Sequence, residues 1–246
     1  MLLETSISQQ AALQETVDIR LWLVRCRDAG VPVVPAFVCP IAIPSDSILN
    51  GCISPRIAEI GEWTEKTTRE IAASTGKAMW RWSHCAPIEI KAAMAKPGIP
   101  IRLPWPPESV NDERLLAILA ECRESRLSTV TTVVRPWVDA AIEADYPVEF
   151  RVFVTSSGRT STTSYYAQRA LGDKWIPYAK KAAEMARLLR RYVTAGVEFS
   201  ADFLVTATKE VLFLEGGPSP EYGADPCCFS PTHIFGDDRI ALQKEC

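Results

Sequence analysis

The sequence predicts an α+β fold in which helices pack on antiparallel hairpins. Segments rich in β-branched and aromatic residues alternate along the chain with segments of helical spacing. Several extended segments also follow one another across short turns, which is the arrangement of antiparallel hairpins. The 246 residues are enough for one large domain, or two small ones, with a sizeable core.

The first part of the chain is predicted to contain two helices and a proline-rich extended stretch. Residues 8–29 have helical spacing, with one apolar face formed by Leu13, Val17, Leu21 and Val24. The stretch VPVVPAFVCPIAI is extended, and its prolines restrict it to edges or turns. The second helix, EWTEKTTREIAAST, is expected to end at Gly76.

The rest of the chain is predicted to alternate strands, helices and hairpins. KAMWRWSH is a short strand, residues 97–107 hold five prolines in an irregular connection, and residues 111–125 form a helix. The strand TVTTVVRPWV ends at its proline. Next come a hairpin over 148–169 that turns at 156–158, a helix over 178–196, a hairpin over 196–226 and a loop-like tail from Cys227.

Two carboxylates in the last hairpin indicate a cation site. If the turn is centred between Thr208 and Lys209, Asp202 lies directly opposite Glu215, with the Cβ atoms about 4.5–5.5 Å apart. Like charges at that distance destabilise the pair unless a cation lies between them. Mg²⁺ prefers oxygen ligands, often one or two carboxylates together with substrate phosphates. The alternative is a different register, in which both carboxylates are solvated.

Arginines recur on neighbouring strands. In YPVEFRVFV, Glu149 and Arg151 alternate with apolar residues and share a face. Arg81 lies between two tryptophans and on the opposite face from both. Arginine forks bind phosphate oxygens in bidentate fashion, although a plain surface ion pair is the alternative for Glu149 and Arg151. The recurring set consists of Arg135, Arg151, Arg159 and Arg169.

From Lys77 to Pro226 the chain resembles an ATP-grasp domain, particularly the divergent kind found in phage and bacterial genomes. The resemblance lies in the order of four segments: AMWRWSHCAPIEIK, TVVRPWV, EFRVFV with its glycine turn, and ADFLVT followed by VLFLEGGPSPEYGADP. It implies an ATP-grasp-like domain over 76–246, whose two α+β subdomains, about 76–138 and 139–246, hold ATP between them. Residues 1–75 would be a small N-terminal α/β subdomain.

The resemblance also implies roles for individual residues. Arg81 and Lys91 would bind phosphates, and the backbone at Val134 and Trp137 would lie beside the adenine. Glu149 and Arg151 would lie near the nucleotide. The metal ligands for Mg²⁺ would be Asp202 and Glu215, and the catalytic arginines Arg151 and Arg169.

Two departures from the family pattern concern catalysis. Gly217 stands where the pattern has an asparagine metal ligand, and Asp225 is the candidate substitute. SHCAPIEI stands where a glycine-rich phosphate loop is usual.

The sequence leaves three functional interpretations open. The first is an ATP-dependent ligase that joins a carboxylate to an amine or thiol through an acyl-phosphate, with a small-molecule, peptide or protein carboxylate as substrate. The second is a nucleotide-binding or protein-interaction module that kept the fold and lost the chemistry. The third is a structural α+β protein that binds no nucleotide.

The composition limits the classes of binding partner and the cellular compartment that we expect. A net charge of −3 and a pI near 5.6 give no sign of nucleic-acid binding. No stretch is predicted to be a membrane span or a signal peptide. Eight scattered cysteines without a CxxC pair indicate reduced thiols, and therefore a cytoplasmic protein, or one in the host cytoplasm if phage-encoded. The sequence does not indicate an oligomeric state.

Overall fold

The computed structural model describes residues 14–44, 56–83, 129–165, 171–218 and 234–235. These ranges contain helices and antiparallel strands, which is the predicted α+β class. The chain divides into two compact units. The first unit comprises Met1–Thr16, Leu21–Val33 and Asp139–Cys246, and the second comprises Val17–Arg20 and Val34–Val138. The domain boundaries expected from the sequence, at 75 and 138, remain predictions.

The elements are numbered in chain order. The helices are α1 (Ile19–Ala29), α2 (Arg56–Thr75) and α3 (Ile176–Leu189). The strands are β1 (Phe37–Val38), β2 (Ile43–Pro44), β3 (Ala78–Trp82), β4 (Thr129–Val130), β5 (Thr132–Pro136), β6 (Ile142–Glu143), β7 (Tyr146–Pro147), β8 (Glu149–Val154), β9 (Thr160–Ser164), β10 (Phe199–Val205), β11 (Val211–Pro218) and β12 (Ile234–Phe235).

In the second unit, a three-stranded antiparallel sheet has the order β1-β5-β3. Helix α2 packs on one of its faces, where the hydroxyls of Thr64 and Thr132 lie 2.6 Å apart. Because Thr132 is paired with Trp82, the Trp82 side chain lies on the α2 side of the sheet and is buried. The helix ends at Thr75, and Gly76 follows with a φ of +85°, so the predicted stop at this glycine is confirmed.

In the first unit, a five-stranded antiparallel sheet has the order β11-β10-β8-β9-β12. Its apolar face carries buried phenylalanines from three strands, Phe150, Phe199, Phe203 and Phe213. Helix α3 packs against β8 and β9. The small side chains on its buried side, Ala179, Ala182 and Ala186, permit close packing. The tail was predicted to be loop-like throughout, but its residues Ile234 and Phe235 pair with β9.

The predicted helix over 8–29 is interrupted: residues 14–16 are helical, residues 17–18 are not, and α1 follows, while residues 8–13 lie outside the described residues. The helix begins at Ile19, because the Asp18 carboxylate accepts a hydrogen bond from the Arg20 backbone N–H at 2.8 Å and so caps the first turn. Its buried side also differs from the predicted one, although Val17, which precedes the helix, is buried as predicted. Leu21 and Val24 are 41% and 46% exposed. The fully buried residues are instead Ile19, Trp22 and Cys26, whose spacing is equally helical.

Other predicted elements are found with shifted ends or lie elsewhere. Helix α3 ends at Leu189 and continues as a 3-10 turn over Arg190–Tyr192, short of the predicted end at 196. The predicted helix over 111–125 and the proline-rich connection over 97–107 lie outside the described residues. In the part of the chain that is described, no helix is long and apolar enough to cross a bilayer.

Candidate functional site

The last hairpin has the predicted register at its two carboxylates. Asp202 on β10 lies opposite Glu215 on β11. The turn itself is centred on Thr208, because Val205 pairs with Val211. A one-residue register shift between Phe203 and Asp202 then brings Glu215 into line. Both side chains are buried, at 3% and 6% exposure.

Asp202 has a second cross-strand neighbour that the sequence did not reveal. It is also paired with Arg151 on β8. The Arg151 Nε donates to Asp202 Oδ1 and its Nη2 donates to Oδ2, each at 2.7 Å. The pair is a buried bidentate ion pair, so the guanidinium compensates the carboxylate charge without a metal ion. The sequence predicted Arg151 to lie near the nucleotide, and the structure gives it Asp202 as its partner.

These residues form a polar row across four strands, which we call the charged row: Glu215, Asp202, Arg151 and Thr163. Directly opposite residues of antiparallel strands point to the same face, so all four side chains lie on one face of the sheet. The ring of Tyr165 covers Arg151, with the guanidinium carbon 4.8 Å from the ring centre. We call this face of the sheet the site face.

Two further rows flank the charged row on the site face. On the side towards the β10–β11 turn, Leu204 lies opposite both Leu212 and Glu149, which makes a mainly apolar row. On the other side, Ser161, Phe153, Ser200 and Gly217 lie opposite one another across four strands. We call this last set the hydroxyl row. The site face therefore changes from apolar to charged to hydroxyl-bearing along the strand direction.

On the opposite face of the sheet, aromatic packing fixes the position of β11 next to Glu215. The Trp22 ring packs between Phe199 and Phe213, at centroid distances of 5.1 and 5.7 Å, and its Nε1 donates to the Thr16 carbonyl. A Cβ at Gly216 would lie less than 3.0 Å from that ring. Gly216 is therefore required for this close approach of helix α1 to the strand.

The carboxylates fit part of a Mg²⁺ site. Two adjacent carboxylates, completed by substrate phosphates, are a donor set that Mg²⁺ uses in proteins. Both Asp202 oxygens already accept hydrogen bonds from Arg151, although each oxygen keeps a further lone pair. Within the described ranges, no group of three or more His, Cys, Asp or Glu is placed to hold a metal ion.

In the second unit, two arginines lie on one face of the three-stranded sheet. Arg135 is paired with Met79, and Arg81 with Val133, so both guanidinium-bearing side chains point away from α2. Arg135 is 3% exposed, and the Arg81 Nε donates to the Trp82 carbonyl at 3.3 Å. Arginines at diagonal positions of two strands create a local positive field, which suits an anion.

The expected adenine-binding backbone lies at the end of β5. Val134 is fully buried in the central strand, between β1 and β3. The Trp137 side chain is 41% exposed, and its backbone N–H donates to the Lys77 carbonyl at 2.9 Å. The backbone N–H of Trp137 therefore already has an acceptor within the second unit.

Three residues named from the sequence, Lys91, Arg169 and Asp225, lie outside the described residues. Sequence analysis missed Thr163, Tyr165 and Trp22. The hydroxyl-rich strand TSTTS was the available signal for the first of these, because five consecutive buried hydroxyl residues are unusual. No local signal indicates Tyr165 or Trp22, since both contacts depend on the tertiary fold.

The architecture with this site face is the ATP-grasp fold, as the resemblance in the sequence predicted. No family model and no curated protein matches the chain. Among solved structures, Cdc123 from Schizosaccharomyces pombe matches with a TM-score of 0.55 and 14% sequence identity, over 89% of this chain and 90% of that one.

Two weaker structural similarities extend over longer proteins. N5-carboxyaminoimidazole ribonucleotide synthetase from Thermotoga maritima has a TM-score of 0.44 and 14% identity over 85% of this chain. The ATP-grasp ligase PsnB, solved with minimal precursor, Mg and ADP, has a TM-score of 0.36 and 11% identity over 85% of this chain. The chain spans 43% of the synthetase and 50% of PsnB.

Proposed function

We propose that the protein is an ATP-dependent ligase that joins a carboxylate to an amine or a thiol through an acyl-phosphate. The observation that carries this proposal is the charged row, in which Glu215, Asp202 and Arg151 are buried side by side on one face of an ATP-grasp fold. Buried charges on a sheet face are costly unless they serve a ligand or each other. The proposed substrate is a small-molecule carboxylate or a carboxylate of a peptide or protein.

The gradient of the site face supports one orientation of ATP. The flat face of the adenine ring can pack on Leu204 and Leu212, whereas the phosphates can interact with the charged row. The Ala141 N–H donates to the Val205 carbonyl, so the chain that directly follows Val138 runs along the Leu204 end of the sheet. This is the end at which the proposal places the base.

Asp202 and Glu215 are the proposed Mg²⁺ ligands. When bound, Mg²⁺ would neutralise charge on the phosphates during phosphoryl transfer. Arg151 is the proposed catalytic arginine of the same row, because its guanidinium pairs with Asp202 in the row that is proposed to face the phosphates. Arg81, Lys91 and Arg169 are proposed as further phosphate-binding or catalytic cations, and Glu149 as a nucleotide contact.

The proposed reaction has two steps. A carboxylate oxygen of the substrate attacks the γ-phosphorus, and the bond from that phosphorus to ADP breaks. An amine or thiol then attacks the acyl carbon of the acyl-phosphate, inorganic phosphate leaves, and the nucleophile loses its proton. The positive charge of Arg151 would stabilise the negative charge that the equatorial oxygens carry in the first step.

A second candidate function is nucleotide binding without transfer, as an interaction module. The observation that favours it is that Arg151 occupies both oxygens of Asp202 while Gly217, two residues after Glu215, offers no side-chain ligand. A cytoplasmic location is part of both proposals, and the buried thiols of Cys26 and Cys39 support a reducing compartment.

The proposed function is tested by thermal melting and ATP turnover. ATP and Mg²⁺ together should raise the melting temperature more than either alone, because a ligand that binds only the folded state stabilises it by about 2.7 kcal/mol at 100 times its Kd. Hydroxylamine should trap acyl-phosphate formed from a carboxylate supplied in a cell extract. Binding without turnover would favour the second candidate, and no melting shift at millimolar ATP with Mg²⁺ would refute both.

A further inference from the structure

Apolar side chains of α1 and α3 are exposed on the first unit. Leu21 and Val24 lie on one side of α1, Leu188 lies in the last turn of α3, and Tyr192 lies in the 3-10 turn that follows. Each of the four is 40–46% exposed. The described residues contain eight exposed large apolar side chains, so half of them belong to these two neighbouring elements. We call these four residues the α1–α3 surface.

Two hydrogen bonds hold the 3-10 turn against α1. The Tyr192 hydroxyl donates to the Asp28 carbonyl at 2.7 Å, and the Arg25 Nε donates to the Tyr192 carbonyl at 3.0 Å. Val24 adjoins Arg25 and lies one helical turn before Asp28, and Leu21 lies three residues before Val24 on the same side of the helix. Tyr192 therefore lies beside the side of α1 that carries Val24 and Leu21.

The exposed side of α1 is turned away from the five-stranded sheet. Trp22 and Cys26 form its buried side, and the Trp22 ring packs on the apolar face of the sheet. At about 3.6 residues per turn, Leu21 and Val24 point to the other side of the helix. A partner on the α1–α3 surface would therefore leave the site face uncovered.

The stretch of chain beside this surface is strongly basic. Residues 180–191 include one acidic and five basic residues, although the whole chain has a net charge of −3. The basic residues, which are exposed except for the half-buried Arg190, are Lys180, Lys181, Arg187, Arg190 and Arg191. Positive charges near the C-terminal end of a helix are stabilised by its dipole, but Lys180 and Lys181 lie in the first half of α3 and gain nothing from it.

The charge of Arg190 is not neutralised within the described ranges. Its guanidinium donates to three backbone carbonyls, those of Ser156, Val193 and Thr194, and to no carboxylate. The basic stretch therefore carries a positive charge that a carboxylate of another molecule can compensate.

Of the possible occupants, an acidic amphipathic helix fits both properties of this region. Its apolar side would pack on the exposed side chains, and its carboxylates would meet the basic stretch. A nucleic acid would use the basic residues but not the aliphatic Leu21 and Val24. A second copy of the chain, related by a two-fold axis, would bring the two basic stretches together, and their like charges would repel.

We propose that the α1–α3 surface is a docking site for an acidic amphipathic helix of a partner protein. The apolar side of that helix packs on Leu21, Val24, Leu188 and Tyr192, and its carboxylates lie along residues 180–191. The inference is independent of the proposed function, because the surface and the site face lie on opposite sides of the sheet.

The test measures binding of a fluorescent peptide to the full chain by anisotropy. The peptide has about 18 residues, or five helical turns, with leucines on one side and glutamates on the other. Two altered peptides carry glutamine for every glutamate or serine for every leucine. The variants are Val24→Ser and Arg191→Glu. The matched controls are Ile142→Ser, which changes an exposed apolar residue of β6, and Lys66→Glu, which reverses an exposed charge of α2. Circular dichroism verifies that each variant is folded.

The acidic peptide should bind with a Kd of about 10–100 μM, and each altered peptide at least about tenfold more weakly. Val24→Ser and Arg191→Glu should each raise the Kd about 3- to 10-fold, whereas the two controls should leave it unchanged. A parent Kd above about 1 mM, or controls that weaken binding as much as the variants, would overturn the inference.

The other occupants are tested with the same proteins. Tighter binding of oligouridine RNA or of phosphatidylserine vesicles, weakened by Val24→Ser and Arg191→Glu, would overturn the assignment of a protein partner. A dimer in sedimentation velocity that Val24→Ser dissociates would do the same in favour of a second copy.

Discussion

At the residue scale, the ion pair of Arg151 and Asp202 changes what is expected of the two carboxylates. The sequence alone treats Asp202 and Glu215 as equivalent metal ligands, so neutralising either should have the same effect. In the structure, Asp202 is the bidentate partner of a buried guanidinium. The two carboxylates therefore contribute differently to the free energy of unfolding, even if both bind the proposed Mg²⁺.

Asp202→Asn should destabilise the protein by about 3–5 kcal/mol, because it leaves the Arg151 charge buried without its counter-ion. Glu215→Gln should cost clearly less, since it removes a like charge next to Asp202. Urea unfolding of both variants measures the difference. Replacing the pair together, with Arg151→Met and Asp202→Leu, should recover most of the loss. Equal losses for the two single variants would show that the ion pair does not stabilise the fold.

At the element scale, the packing of helix α1 against β11 depends on two adjacent glycines in different surroundings. Gly216 faces the Trp22 ring on the apolar face, whereas Gly217 faces Ser200 on the site face. A methyl group added at each position meets a rigid ring in one case and a rotatable hydroxyl in the other.

Gly216→Ala should destabilise the protein by about 1–3 kcal/mol through overpacking against Trp22. The matched control, Gly217→Ala, should change stability by no more than about 0.5 kcal/mol, because the Ser200 hydroxyl can rotate away. Chemical denaturation provides the measurement. Adding Trp22→Leu to Gly216→Ala should cost less than the sum of the two single changes, since both act at one contact. Strict additivity would contradict the proposed clash.

The turn before α3 carries a pH-dependent tether to β6. The Lys174 ammonium lies 2.6 Å from a Glu143 oxygen. Its hydrogen bond is the main reason that the pKa of Glu143 lies below its ordinary value. A lowered pKa means that the tether contributes stability above the unfolded-state pKa of about 4.3 and loses it as the pH falls through the folded-state value.

Lys174→Met should therefore raise the pKa of Glu143 towards that of a free glutamate, as carboxyl-carbon NMR titration would show. Lys180→Met, which removes an exposed lysine from α3 itself, is the control and should leave the Glu143 titration unchanged. A Glu143 titration that is insensitive to Lys174 would mean that the ion pair does not form in solution.

Local sequence patterns predicted the type of these elements, whereas tertiary contacts determined their strand partners and buried sides. The sequence placed Asp202 opposite Glu215 from an assumed turn between Thr208 and Lys209, whereas the observed turn is centred on Thr208 and the pairing depends on a register shift that the alternation of ADFLV and VLFLE does not predict. The partner of Asp202 could not be predicted, since β8 lies about fifty residues earlier and strand order is not a local property. For α1, two apolar stripes had helical spacing, and the position of Trp22 in the sheet core decided between them.

At the scale of the whole molecule, the two compact units share helix α1. Its first residues, Ile19 and Arg20, belong to the second unit, and the remainder belongs to the first. Each unit also has a buried cysteine thiol, Cys26 in the first and Cys39 in the second. Reactivity of these two thiols therefore reports on each unit separately.

We expect both thiols to become reactive at the same urea concentration, because melting α1 removes buried residues from both units at once. Pulse labelling with iodoacetamide, followed by peptide mass spectrometry, measures each midpoint. The exposed surface of α1 provides a control: Val24→Ala should leave both midpoints in place, whereas Trp22→Leu should lower both together. Two separate midpoints in the parent protein would show that the units unfold independently.

Leu214, the extra residue at the register shift in β11, also favours the native pairing of the hairpin over a mispaired one. In a hairpin with an uninterrupted ladder from the turn, Leu214 would stand opposite Asp202, and Glu215 would point to the side occupied by Trp22 and Phe199. Burying that carboxylate among aromatic rings would make the slipped ladder far less stable than the native one. The Glu215 carboxylate therefore disfavours the mispaired hairpin. Deletion of Leu214 restores a continuous ladder and should preserve the pairing of Asp202 with Glu215.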